Sequence, residues 1–159
     1  MSHTHSHGLG PEHPQSHQIQ FGSIIFLIII WFLDSFILNV FSELRNEIPI
    51  YIKIALFIVT IAGGIYFIQK SQSVVFSAKS IIDESVYGIV RHPLYIGSLL
   101  LCFSIAFLTM SIISFLTLIP IVFLYNMIMK FEEVELEKKF GEDYTLYRKK
   151  VARWIPKLY

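Results

Sequence analysis

Charge is scarce in this chain. Only 16% of its 159 residues are Asp, Glu, Lys or Arg, against 54% hydrophobic, and the mean hydropathy is +0.60. A soluble domain of this size cannot bury so much apolar side chain, which leaves an integral membrane protein as the class. Cysteine is nearly absent: Cys102 stands alone inside an apolar run, so an internal disulfide is excluded and the residue reads as a small packing side chain. The net charge of +1 says little by itself, and no nucleic-acid partner is expected. A basic n-region followed by a short apolar core and a small-residue cleavage site is also missing, so no cleavable signal peptide is expected.

Residues 1–18 are polar and hold His3, His5, His7, His13 and His17. Alternation at 3, 5 and 7 would let an extended segment present imidazoles to a divalent metal, but no Cys or carboxylate cluster completes a site. The segment reads as a solvated tail, and residues 19–159 as one membrane domain.

The hydrophobic pattern predicts an all-α membrane protein with four transmembrane helices. Phe21 to about Phe41 is the first, with Asp34 inside it. An acid at that depth is either functional or a hydrogen-bonded packing residue, and Asp34 belongs to no motif, which favours packing. Ser42–Pro49 reads as a short polar turn, and Ile50 to about Ile68 as the second span. Gly63 and Gly64 would allow close helix contact there, or a kink. Gln69–His92 is a polar loop longer than a connector needs, with a stretch at Gln72–Phe76 that alternates like an extended segment. Leu94–Met129 is too long for one crossing and reads as a hairpin turning near Met110, its second arm expected to kink at Pro120 and carrying Asn126. That arm should run on to Phe140, stop at Gly141, and be followed by a short helix whose acids come first and bases last. An amphipathic helix resting on the bilayer accounts equally for this tail.

Arg45 and Lys53 fall on one side of this scheme and the other eleven bases on the opposite side. The positive-inside rule then places both termini, the central loop and the C-terminal tail in the cytoplasm. Two polar stretches meet on that face. Tyr87 to Gly97 reads Tyr-Gly-Ile-Val-Arg-His-Pro-Leu-Tyr-Ile-Gly. Pro93 suits the first turn of a helix, His92 its cap, and the unpaired N–H groups there favour an anion. Gly97 would let something large approach the backbone. The alternative is a helix start with a basic anchor at the headgroups. The other stretch is Glu132-Glu133 near the membrane exit, followed by Phe140-Gly141, Tyr144 and Tyr147. Paired acids suit an amine or other cation, or else form a solvated helix face.

Arg91-His92-Pro93-x-Tyr95-x-Gly97, with Tyr87 before it and Glu132-Glu133 and Phe140-Gly141-x-x-Tyr144-x-x-Tyr147 after it, resembles the isoprenylcysteine carboxyl methyltransferase family and the related phospholipid N-methyltransferases. The resemblance spans about residues 72–156. It implies an integral membrane enzyme using S-adenosylmethionine on a lipidic substrate that enters from the bilayer. Gln72, Ser80, Ile81, Ile82, Tyr87, His92 and Tyr95 would surround the cofactor, and Glu132 would hold its amino group. Methyl transfer would be direct and in line, with Glu133 or a tyrosine such as Tyr95 assisting if the acceptor must lose a proton. The resemblance also marks departures. An arginine that orients the substrate carboxylate in the eukaryotic enzymes is here Ile128, leaving Asn126 and Lys130 near the acceptor. A basic residue followed by Val-Pro is here Lys150-Val151-Ala152, with Arg153 next. The expected reaction is carboxyl O-methylation of a prenylcysteine-like or other lipidic acid. N-methylation of a phospholipid or lipid amine is the alternative. Membrane sterol reductases, which use NADPH, share a similar core. A metal-handling membrane protein built on the histidine tract is the non-enzymatic reading.

Overall fold

The computed structural model describes residues 15–75 and 85–155. Among them there is no strand. Helices α1 (Ser16–Phe32), α2 (Ser42–Glu47), α3 (Ile50–Val75), α4 (Val86–Ile89), α5 (Pro93–Thr109), α6 (Ile112–Phe140) and α7 (Glu142–Lys150) follow one another, and α1 runs on into a π-helical turn, Leu33–Leu38. Three segments among the described residues are long and apolar enough to cross a membrane: Ser16–Leu38, Ile50–Ser73 and Ile112–Phe140. At 17 residues α5 spans only about 26 Å at 1.5 Å per residue, a little short of a hydrocarbon core.

The hairpin expected between Leu94 and Lys130 is present as α5 and α6. Met110 turns it in the left-handed conformation (φ 54°), and the Ser111 hydroxyl caps α6 by accepting from the Ser114 N–H at 3.1 Å. α6 continues unbroken through Pro120 and ends at Gly141, whose φ of +57° favours a residue without Cβ.

Several boundaries differ from the sequence reading. α1 begins at Ser16, so residues 16–18 are helical; His3, His5, His7 and His13 lie outside the described residues. The turn at 42–49 contains α2. Helix α3 runs to Val75, so Gln72–Val75 is helical rather than extended. A helix need not end where its apolar composition ends, because its hydrogen bonds are satisfied internally in water as in lipid.

α3 and α5 pack closely through glycines. A Cβ on Gly97 would stand 2.6 Å from Ile68 Cγ1 and 3.0 Å from the Gly64 carbonyl, and one on Gly64 3.0 Å from the Gly97 carbonyl. What approaches Gly97 is therefore helix α3, not a ligand. The pair works as small-residue interfaces do in membranes, where van der Waals contact rather than hydrophobic expulsion drives association.

At the Met110 end a buried polar cluster ties α1 to the hairpin. Asp34, 1% exposed, accepts from the Ser111 hydroxyl (2.5 Å) and the Val40 N–H (3.2 Å). Arg45 stands 3.6 Å away and donates to Asn39 Oδ1 at 3.0 Å. Asp34 is thus a hydrogen-bonded, ion-paired packing residue, the condition under which a buried charge is tolerated.

Candidate active site

At the opposite end of the hairpin, the first turn of α5 meets the polar end of α6. Pro93 occupies the first helical position and His92 caps the helix through its backbone, its carbonyl accepting from the Ile96 N–H at 3.3 Å. The imidazole is turned instead toward α6. Its Nε2 lies 3.2 Å from Glu133 Oε1 and its Nδ1 3.6 Å from Glu132 Oε2. Successive residues of a helix point about 100° apart, so the two acids share His92 but otherwise meet different partners. Glu132 Oε1 accepts from the Tyr95 hydroxyl at 2.7 Å. Glu133 faces three cationic or imidazole groups at once.

The chain beyond α7 completes this arrangement. Val90 and Ala152 form a parallel bridge, with the Arg91 N–H donating to the Ala152 carbonyl at 2.9 Å. That contact sets Arg153 against Glu133 as a two-pronged fork, Nε to Oε1 at 2.8 Å and Nη2 to Oε2 at 2.5 Å. Arg153 also donates to Asn126 Oδ1 at 2.9 Å, and Arg91 Nη2 stands 3.3 Å from Glu133 Oε1. The pairing with Glu133 raises the Arg153 pKa further above its ordinary value. Burial pushes the His92 pKa below its ordinary 6.5, with the Glu133 bond opposing, so the imidazole is neutral at neutral pH.

Tyrosines brace the outer wall. Tyr147 donates to the Tyr87 carbonyl at 2.8 Å, and the Tyr87 hydroxyl lies 2.8 Å from that of Ser71 on α3. Tyr144 is buried with no hydrogen-bond partner for its hydroxyl, and burial raises its pKa. Arg91 likewise leaves Nε and Nη1 buried without a hydrogen bond. Such orphaned donors in a native site call for an acceptor.

Of the residues singled out in the sequence, His92, Tyr95, Glu132, Glu133 and Asn126 come together, and Tyr87 joins them through Tyr147 and the α7 tail. Gln72 and Lys130 are exposed on α3 and α6, and Ser80, Ile81 and Ile82 lie outside the described residues. Arg153, the most heavily bonded cation here, entered the sequence reading only as a departure from a family pattern. Its signal was weak, a lone base two positions after Val151, because its partners lie 20 and 27 residues away. Among the described residues no group of three or more His, Cys, Asp or Glu is arranged to hold a metal.

The fold and site together define a helical membrane protein with a buried acid–imidazole–guanidinium network at one end of a hairpin. A family model, phospholipid methyltransferase, matches residues 48–143, more than half of the chain, and the chain belongs to that family. No curated protein and no solved structure matches it. The matched stretch contains His92, Tyr95, Glu132 and Glu133 but neither α1 nor Arg153.

Proposed function

We propose that this chain transfers a methyl group from S-adenosylmethionine to the amine of a zwitterionic lipid headgroup at the membrane surface. The observation that carries the proposal is the meeting of α5's first turn with the acidic pair of α6. The donor set suits the cofactor's chemistry. Two unpartnered donors on Arg91, with the Tyr144 hydroxyl, fit a carboxylate beside a helix N-terminus. Glu132, held by Tyr95, fits an ammonium, and the Tyr95 and Tyr87 rings fit the adenine and the sulfonium. When bound, S-adenosylmethionine would supply an electrophilic methyl group on a positively charged sulfur.

The acceptor side is where this reading moves away from carboxyl methylation. Ile128, at the position where a carboxylate-orienting arginine would stand, is buried in the apolar core with Tyr125 and Met129. The Arg153–Glu133 pair instead mirrors a zwitterion: opened, it offers a guanidinium to a phosphate and a carboxylate to an ammonium. Glu133 then keeps Arg91 and His92, so its charge is not stranded. An amine must lose a proton before it attacks. This reading assigns that proton to Glu133, once released from Arg153, or to the neutral His92 beside it. Tyr95 keeps Glu132 in position, and most of the acceleration would come from alignment in a water-poor site. Four spans, with this end of the bundle and both termini cytoplasmic, remain the topology this reading uses.

The test is chemical. Membranes from cells expressing the chain are supplied with methyl-labelled S-adenosylmethionine, and the labelled lipid is treated with mild alkali. N-methylation predicts label that stays on the headgroup after mild alkali removes the acyl chains. Release of the label as methanol would establish a methyl ester and return the assignment to a carboxylate acceptor.

A further inference from the structure

α1 is built inside out. Its outward residues are apolar, Phe21, Ile25, Phe26, Ile28 and Ile29, as lipid requires. The strip turned to the hairpin is Ser16, Gln20, Ser23 and Leu27, at the spacing of one helical face, and its first three members are polar. Opposite them the hairpin offers Ser98 and Tyr125. Ser98 donates to Gln20 Oε1 at 3.0 Å, and the Ser23 and Tyr125 hydroxyls lie 2.6 Å apart. Tyr125 in turn packs edge-on against Tyr95, ring centroids 5.3 Å apart, so this seam adjoins the Glu132 site directly. Ser98 lies three residues beyond Tyr95 on α5, about 4.5 Å deeper along the helix.

Hydroxyls in such a seam are explained by their own bonds. Gln20 is not. It is 7% exposed, its carbonyl oxygen is taken by Ser98, and its Nε2 is buried with no partner. A primary amide carries two donors, and leaving them unmade between membrane helices is unfavourable unless a ligand takes them. The site next door handles a lipid whose chains approach from the bilayer. The acceptor oxygens that such a molecule carries just below its headgroup are ester carbonyls.

We infer that Gln20, held by Ser98, is a subsite for an ester carbonyl of the lipid substrate, one helical turn below the Glu132 end of the site. The choice of ligand rests on the lipid-methyltransferase reading; the unpaired amide does not. α1 lies outside the stretch that the family model matches. Such a subsite predicts discrimination between acyl and alkyl lipids bearing one headgroup.

The experiment uses the full chain in detergent and measures binding without methyl donor, by displacement of a labelled lipid with diacyl (ester) or dialkyl (ether) lipid of the same headgroup. One hydrogen bond predicts about tenfold tighter binding of the ester lipid. Gln20→Leu should bring the ester lipid down to the affinity of the ether lipid, and Ser98→Ala, which frees the amide to turn, should reduce the preference by about threefold. Equal binding of both lipids by the unaltered chain overturns the inference. So does an equal loss for both lipids in Gln20→Leu, which would make Gln20 a helix-packing amide only. Ester selectivity in a protein that transfers no methyl group would uphold the subsite and defeat the methyltransferase reading instead.

Discussion

Placing α5 against α3 is what brings His92 and Tyr95 to α6, and two glycines test it. In Gly97→Ala the added methyl meets Ile68 Cγ1 at 2.6 Å, the Gly64 carbonyl at 3.0 Å and the Ile68 nitrogen at 3.1 Å. The side-chain carbon can turn aside, but the two backbone atoms can yield only if α3 moves. In Gly63→Ala the nearest atom is Leu100 Cδ1 at 3.4 Å, an ordinary contact. Both substitutions gain the same helix propensity, so that contribution cancels between them. What remains is the cost of overpacking, about 1–3 kcal/mol against Gly97→Ala. Thermal unfolding of the two purified variants in one detergent should therefore place Gly97→Ala below Gly63→Ala. Methyl transfer should fall with it, by up to about a hundredfold if α5 shifts by an ångström at the Tyr95–Glu132 bond. A Gly97→Ala midpoint equal to or above that of Gly63→Ala would refute the close packing of α3 on α5.

Arg153→Gln should lower kcat/KM for lipid by at least about tenfold while donor affinity holds, since the fork on Glu133 is lost but Arg91 and His92 remain; Arg153→Lys should not restore it, because an ammonium cannot make both bonds. Burial holds the His92 pKa below 6.5, so as the pH falls past 6.5 the unfolded chain binds a proton that the folded chain resists. Stability should therefore drop as the pH falls through 6.5, and less steeply in His92→Gln; parallel curves would remove the histidine as the cause. Asp34→Asn strips the charge facing buried Arg45 and should cost about 3 kcal/mol in unfolding while leaving donor affinity unchanged, because the cluster sits at the far end of α5.

How much of this was legible in the sequence depends on the range of the interaction. The hairpin was, because an apolar run from Leu94 to Met129 exceeds one crossing and the Ser and Thr residues around Met110 mark its turn. The helix stop at Gly141 and the acid-first, base-last pattern of α7 were equally local. The extension of α3 to Val75 was hidden, since Gln69–Ser73 is polar and reads as loop once the apolar layer ends. Gly97 was read as room for a ligand because its true neighbour, Gly64, lies on another helix, and nothing in either local sequence names the other. His92, Tyr95 and the acidic pair stood out by motif, but their mutual geometry depends on the hairpin register. Arg153 carries only a weak local signature and Gln20 none: one acts through a chain return after α7, the other through a polar strip visible only when α1 is seen packed.

The most direct test is a calorimetric titration of the full chain with S-adenosylmethionine in detergent, beside Glu132→Ala and His92→Ala. Saturable binding to the unaltered chain and none to either variant, with both variants still inserted and folded, is the result predicted by a donor site between α5 and α6. Undiminished binding in both variants would contradict it.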